Sequence, residues 1–405
     1  MTPDQLDAAD PLRAFRKRFQ LRDGLIYLDG NSLGALPKAT AGRMAEVISR
    51  EWGDGLIGSW NAADWVTAPQ RIGAKIARLI GAEADEVIAA DSTSVNIFKA
   101  LTAALSLRPD RRVILSERTN FPTDVYMMQG LAGVADVQAV TVAPDELLDR
   151  LDEDVAVLLL TQVHYKSGLV RDMAEVTARA HAAGALVIWD LSHSAGAIPV
   201  DLNGAGADFA VGCGYKYLNG GPGAPAFLFA AKHHQAKATP VLSGWFGHSQ
   251  PFAFDEDYAP AEGITRFLCG TPPILGLAAL EVGVDLMLEA DMAAIRAKSL
   301  ALTDLFITLM EPLCADHGFR LASPRDAAPR GSQVSYLHPH GYEICQALIA
   351  RDVIGDFRAP DILRFGFTPL YTRYADAAEA VERLRDICVT RAWDRSEYRA
   401  RSAVT

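Results

Sequence analysis

Short apolar, β-branched runs alternate with amphipathic stretches over the first two-thirds of the chain. The runs LIYLD (25–29), EVIAAD (86–91), RVILSE (112–117), VQAVTV (137–142), VAVLLLTQV (155–163), ALVIWDLS (185–192), DFAVGCG (208–214) and PAFLF (225–229) predict strands. Helical patterns lie between several of them. One is VRDMAEVTARAHAAG (170–184), whose closing glycine suits a helix C-cap. Strand, helix, strand repetition with strands apolar throughout predicts an α/β fold with a mostly parallel sheet covered on both faces. Ligands of such sheets bind beyond the carboxyl ends of the strands.

The pattern changes after Thr271. Helices are expected from about Ile274 to Asp291, from about Met292 to Leu313, over GYEICQALIARD (341–352) and from about Ala375 to Trp393. Strands are expected at SQVSYLH (332–338) and as a pair at VIGDFR (353–358) and ILRFGF (362–367). This reads as a smaller C-terminal α+β domain. The expected division is an N-terminal segment (1–40) packing with the small domain, a large domain (41–275) and the small domain (276–405).

Composition narrows the function. The 405 residues are half hydrophobic and carry a net charge of −11, with no basic stripe to meet phosphates, so nucleic acid is not the expected partner. The basic start PLRAFRKRFQLR reads as a solvated helix face. No apolar run is long enough to span a bilayer. No signal peptide is apparent. Five widely spaced cysteines, never C-x-x-C, fit reduced thiols in a cytoplasmic protein. No compact ligand cluster predicts a metal, and KHH (232–234) reads as an exposed polar stretch. Neither G-x-x-x-x-G-K-[ST] nor a strand-to-helix G-x-G-x-x-G is present.

Candidate chemistry gathers at the predicted strand ends. Asp190 and His193 follow the run ending in WD, and Lys216 leaves the next strand between two tyrosines and a glycine-rich turn. A lysine and an aspartate on adjacent strand ends are what pyridoxal 5′-phosphate needs: an amine for its aldehyde and a carboxylate for its ring nitrogen. Thr93 and Ser94 fall at a predicted helix N-terminus, where free N–H groups favour a phosphate, although a plain N-cap would look the same locally. Phe121 could stack on a planar ring, or simply pack in the core. Asp124 could bond near the ring's phenol oxygen.

YLDGNSLG (27–34), DSTSVN (91–96), FPTD (121–124), WDLSHSAGA (189–197), GCGYKYLNGGPG (212–223), GWFGH (244–248) and RFGFTPLY (364–371) together resemble the kynureninases. These are fold-type-I pyridoxal-phosphate enzymes of the aspartate aminotransferase superfamily. The resemblance implies hydrolysis of L-kynurenine to anthranilate and L-alanine in tryptophan catabolism, with 3-hydroxykynurenine a poorer substrate. Lys216 would be the Schiff-base lysine, with Tyr215 beside it as a proton relay and phosphate ligand. Asp190 would pair with the ring nitrogen, with His193 adjacent. Thr93 and Ser94 would hold the phosphate, Phe121 would stack, and Asp124 and Thr161 would lie near the cofactor. Trp245 and Thr271 would complete the phosphate site from the partner subunit of a homodimer. Arg364 would grip the substrate carboxylate in a planar two-point contact. Asn31, Ser32 and Trp60 would line the substrate site, though Trp65 competes with Trp60 for that place. Animal members carry Asn where Thr271 stands and a histidine near Trp60. Two alternatives share much of the constellation: another enzyme of this fold, such as a cysteine desulfurase or an aminotransferase, and a non-catalytic pyridoxal-phosphate-binding protein.

Overall fold

Two short segments far apart in the chain make its first strand pairing. Ile26–Tyr27 (β1) runs parallel to Val353–Ile354 rather than joining the large sheet, so LIYLD is a strand of the C-terminal region. Periodicity marks a strand but does not name its partner. The structure, a computed structural model, describes residues 1–401.

The large sheet has seven strands: Val87–Ala89 (β2), Val113–Glu117 (β3), Gln138–Val142 (β4), Val155–Thr161 (β5), Leu186–Asp190 (β6), Phe209–Gly212 (β7) and Phe227–Ala230 (β8). Their spatial order is β2-β8-β7-β6-β5-β3-β4. Strand β8 is antiparallel to both neighbours and every other pairing is parallel. The central strands are buried along their whole length because helices cover both faces, as their uninterrupted apolar runs require. One apolar layer includes Ile72, Leu158, Trp189 and Leu280; the other includes Ile97, Leu101, Leu159 and Phe209.

The C-terminal region builds a second, antiparallel sheet from Arg320–Leu321 (β9), Gln333–Leu337 (β10), Asp356–Arg358 (β12) and Ile362–Gly366 (β13), with Val353–Ile354 as β11. The expected single strand VIGDFR is thus two strands, broken at Gly355. The helices run Ile274–Leu288, Met292–His317, Gly341–Ile349 and Tyr374–Val389. The second is longer than expected. It continues through Pro312 and stops at Gly318, whose φ of 76° is the left-handed conformation of a C-cap. Ile26 and Leu28 join the core beneath this sheet, with Phe306, Tyr336 and Phe365.

The basic start is not a solvated helix face throughout. Arg16 pairs with Asp376 at 2.7 Å, and Arg18 with Glu289 at 2.7 Å. Asp7 accepts the backbone N–H groups of Tyr374 and Ala375, capping the last helix. These contacts dock the N-terminal segment on the C-terminal region.

KHH departs further from expectation. His234 is half-buried, and its Nε2 lies 2.7 Å from Asp208 Oδ1; His181 Nε2 lies 2.8 Å from Oδ2. Val187 N–H also donates to Asp208. Burial works against this charge, but the two histidines and the amide outweigh it and hold the carboxyl at about 2. Asp208 therefore stabilises the fold fully above the ordinary carboxylate value near 4. Asp208→Asn should cost about 1–3 kcal/mol in urea unfolding at neutral pH. The deficit should shrink as pH falls below about 4. A deficit that stays constant through acid would mean that the charge contributes nothing.

Candidate active site

The parallel strands deliver their functional side chains to one edge. Asp190 ends β6 and Thr161 ends β5, directly opposite each other in register. Lys216 follows β7, in a loop that turns back into β8 through Gly221 and Gly223, both at positive φ. The loop is held from outside by the N-terminal motif. Gly34 N–H donates to the Tyr215 carbonyl at 2.8 Å, and a Cβ at Gly34 would lie 2.3 Å from the Lys216 carbonyl oxygen. Only glycine permits that approach.

A cavity of about 210 Å³ opens at this edge, lined by Thr93, Ser94, Phe121, Asp124, Thr161, Asp190, His193, Tyr215 and Lys216 among others. Thr93 and Ser94 begin the helix Thr93–Ser106, and Ser92 caps it by accepting from Val95 N–H. The local N-cap and the free first-turn N–H groups therefore coexist, because the cap belongs to Ser92. Phe121 stands edge-on to Tyr165 at 5.2 Å, with Lys216 Nζ 5.8 Å from its centroid.

The electrostatics follow from burial. Asp190 is fully enclosed and accepts both the N–H and the hydroxyl of Ser192 on Oδ1, at 2.8 and 2.6 Å. Burial raises its carboxyl above the ordinary range despite Ser192 and Lys216. Burial and the neighbouring Asp190 push Asp124 well up. Tyr215 is also raised by burial. Lys216 Nζ lies 3.0 Å from His193 Nε2, while His193 Nδ1 lies 3.1 Å from Gln333 Oε1. Burial, with the Lys216 and Arg364 charges, holds His193 well below its usual range, so the ring is neutral. Gln333 Nε2 donates to the Tyr165 carbonyl, which fixes Oε1 toward His193. The tautomer follows: Nδ1 carries the proton and Nε2 accepts from Lys216.

Arg364 sits deep in β13. Its Nη1 donates to the same Tyr165 carbonyl at 2.6 Å, and Nε donates to Asp356 Oδ1 at 2.6 Å. Nη2 bonds Asp356 Oδ2 and lies 3.1 Å from Ser32 Oγ. Asn31 is buried against Gly366 with no partner for either amide atom among the described residues. Arg364, Asn31 and Ser32 lie behind Tyr165 rather than in the cavity lining, and Trp60, Thr271 and Trp245 do not line it either. Trp60 and Thr271 line a second, apolar hollow of about 430 Å³ with Trp52, Trp65 and Ile274. Both Trp60 and Trp65 face it, in edge contact at 5.8 Å. Trp245 packs on Phe246 elsewhere.

Sequence reasoning missed Asp356, Gln333 and Tyr165. Asp356 was findable: it stands directly across β12 and β13 from Arg364, and an opposite-charge cross-strand pair needs only the hairpin register. Gln333 and Tyr165 act through a backbone carbonyl and leave no motif. A further group that could hold a metal, Asp208, His233 and His234, lies at the other end of β7.

The residues fit pyridoxal phosphate. An amine, a buried carboxylate and a helix N-terminus converge on one cavity, and Thr161 Oγ1 is buried there without a partner among the described residues. Fold and cavity together define a fold-type-I pyridoxal-phosphate-dependent enzyme. Solved structures agree on the fold. The apo cysteine desulfurase of Thermococcus onnurineus NA1 superimposes with a TM-score of 0.78 at 19% identity, covering 93% of this chain and 98% of that one. The cystine C-S lyase C-DES bound to cysteine persulfide gives 0.79 at 18%, covering 90% and 98%. A family description, the kynureninase C-terminal domain, matches residues 295–384. Kynureninases of Burkholderia mallei (strain SAVP1) and Pseudomonas fluorescens are 54% and 52% identical over 99% of this chain and 98% of their own. The chain belongs to the kynureninase family.

If Asp190 holds the proton on the cofactor's ring nitrogen, Asp190→Asn should lower kcat by about 10²–10³-fold. Asn can still accept from Ser192, so a purely structural aspartate would tolerate the change. Steady-state turnover with the cofactor absorbance monitored separates the two outcomes.

Proposed function

We infer that this chain hydrolyses L-kynurenine to anthranilate and L-alanine, with roles divided among residues in and beside the cavity as follows. The observation that carries this assignment is the convergence of Lys216, Asp190 and the Thr93 helix start on one cavity, in a chain more than half identical to kynureninases. Lys216 holds the cofactor aldehyde, and Asp190 holds the proton on its ring nitrogen. The N–H groups and hydroxyls of Thr93 and Ser94, with Tyr215, hold the phosphate. Phe121 covers the ring, with Asp124 and Thr161 at its edge. When bound, pyridoxal phosphate supplies a ring that takes up the electrons left at the substrate's Cα.

Hydrolysis also adds a water at the substrate's γ-carbonyl and breaks the Cβ–Cγ bond; what this chain's residues supply is proton movement at named atoms. Lys216 Nζ would be the base that takes the substrate's Cα proton and the acid that returns it. Neutral His193 accepts from Nζ and keeps it on the cofactor side of the cavity. Tyr215 keeps its hydroxyl proton, because burial disfavours the phenolate, and so can donate. Arg364 takes the substrate carboxylate. Bidentate geometry suits that task. Its Nε–Nη2 edge is already committed to Asp356 and one Nη1 donor to the Tyr165 carbonyl, which leaves the second Nη1 donor and the Nη2 donor that now meets Ser32.

A homodimer is part of this reading. What supports it is that Trp60, Trp245 and Thr271 lie outside the chain's own cavity, while Trp52, Leu56, Ile57, Phe252 and Phe254 are exposed. The division at residues 40 and 275 is likewise our reading, supported by the separate core beneath the small sheet. Five free cysteines support a cytoplasmic setting. Among the described residues no helix is long and apolar enough to cross a membrane.

Lys216→Ala should lower turnover of L-kynurenine, followed by anthranilate fluorescence, by at least about 10²–10⁴-fold, the range of a positioned acid–base group. Near-normal turnover without added amine would remove the assignment. For the ring, an indole at Trp60 offers no acceptor for a phenolic proton. An unpartnered buried hydroxyl costs about 1–3 kcal/mol. We therefore expect kcat/KM for L-kynurenine to exceed that for 3-hydroxykynurenine by about tenfold to a hundredfold. Equal or reversed values on one preparation would make Trp60 a packing residue, or give Thr271 the missing partner's role.

A further inference from the structure

Arg364 spends four of its five N–H donors inside the protein. Nε and Nη2 bond the two oxygens of Asp356, Nη1 bonds the Tyr165 carbonyl, and Nη2 also contacts Ser32 Oγ. Both Arg364 and Asp356 are only 2% exposed. They stand directly opposite across the β12–β13 hairpin, so their Cα positions are fixed by ladder pairing rather than by a flexible loop. Arg358 shares the same carboxylate at 2.8 Å, and Ser32 donates to it at 2.7 Å. A guanidinium is planar. Holding its Nε–Nη2 edge in a two-point ion pair therefore sets the direction of the opposite end.

We propose that Asp356 is a positioning residue for substrate recognition: it clamps one edge of Arg364 and thereby presents the Nη1–Nη2 end to the substrate's α-carboxylate. The free donor on Nη1 starts the contact. The Ser32 hydroxyl, the longest of the Arg364 contacts at 3.1 Å, is the partner a carboxylate can replace without disturbing the ion pair. The clamp also spares the empty site an unpaired buried cation, so Arg364 waits in place instead of swinging in with substrate. This inference rests on Arg364 being the carboxylate partner.

The test uses holoenzyme and two substrates, L-kynurenine and its carboxamide, which lacks the anionic group. Wild type should prefer the acid, and Arg364→Ala should lose that preference. Asp356→Asn keeps the shape but turns an amide toward the guanidinium. It should lower kcat/KM for kynurenine by about tenfold to a hundredfold, the scale of ångström misplacement. The loss should fall mainly in KM, leaving the carboxamide and the cofactor absorbance little changed. Asp356→Glu keeps the charge on a longer stem that pushes the guanidinium out of place. It should give an intermediate preference, and it serves if the Asn variant does not fold. A wild-type preference in the Glu variant, or losses equal for acid and amide in the Asn variant, would overturn the proposal. If wild type and Arg364→Ala treat the two substrates alike, the carboxylate assignment to Arg364 falls instead. Loss of preference in Arg364→Ala with both Asp356 variants unaffected defeats the positioning role alone.

Discussion

Two cationic side chains, Lys216 and Arg364, must be kept buried and aimed, and the architecture around the cavity answers that constraint. An unpaired buried charge costs several kcal/mol, so each needs a partner that does not consume its function. Lys216 finds a neutral histidine, which accepts a hydrogen bond without locking the amine in an ion pair. Arg364 finds Asp356, a full counter-charge, which suits a residue that never has to lose its proton. The two solutions meet at the Tyr165 carbonyl, which accepts from Gln333 on the Lys216 side and from Arg364 on the other. A single backbone oxygen therefore sets the tautomer of His193 and one donor of Arg364 together.

That meeting point explains why the N-terminal segment belongs with the site. Gly34 packs on the lysine loop, while Ser32, two residues earlier, touches Arg364 and Asp356. One turn of chain thus tethers the large sheet's active edge to the small sheet. Asp29 sits in the same turn, half-buried, and the Asp356 charge adds to desolvation in raising it to about 7. The local excess of carboxylates is tolerated because Arg358 and Arg364 stand beside them.

The parts of the site legible in the sequence are those where a polar residue interrupts an apolar strand. Asp190 and Lys216 are legible as a pair, because two adjacent apolar runs each lead into a charge. Thr93 was legible as a helix start, though Ser92 rather than Thr93 makes the cap. The sheet was legible in its strands and mostly parallel sense. The antiparallel return of β8 was not, because a buried apolar run reads alike in either direction. Gln333, which bonds a backbone carbonyl, was invisible, and Asp356 becomes legible only once the register of the β12–β13 hairpin is set. The end of the long helix was placed about a turn short: it was expected near Leu313, but the helix runs on to His317.

The same sheet serves quite different reactions, since the desulfurase and lyase folds superimpose on it at under 20% identity. The shared frame can fix only what hangs directly from strand ends, and function lies in what is added there. A sulfur-transferring relative needs an accessible thiolate near the lysine. Here the nearest cysteine, Cys213, is buried, its thiol donates to the Ser192 carbonyl, and burial raises it further from ionisation. Its role is to back the loop that carries Asp190's hydrogen-bond donor, not to attack. The position next to the lysine is instead a tyrosine that keeps its proton. A buried, un-ionised thiol and a protonated tyrosine beside Lys216 suit proton transfer at this cavity better than attack by sulfur.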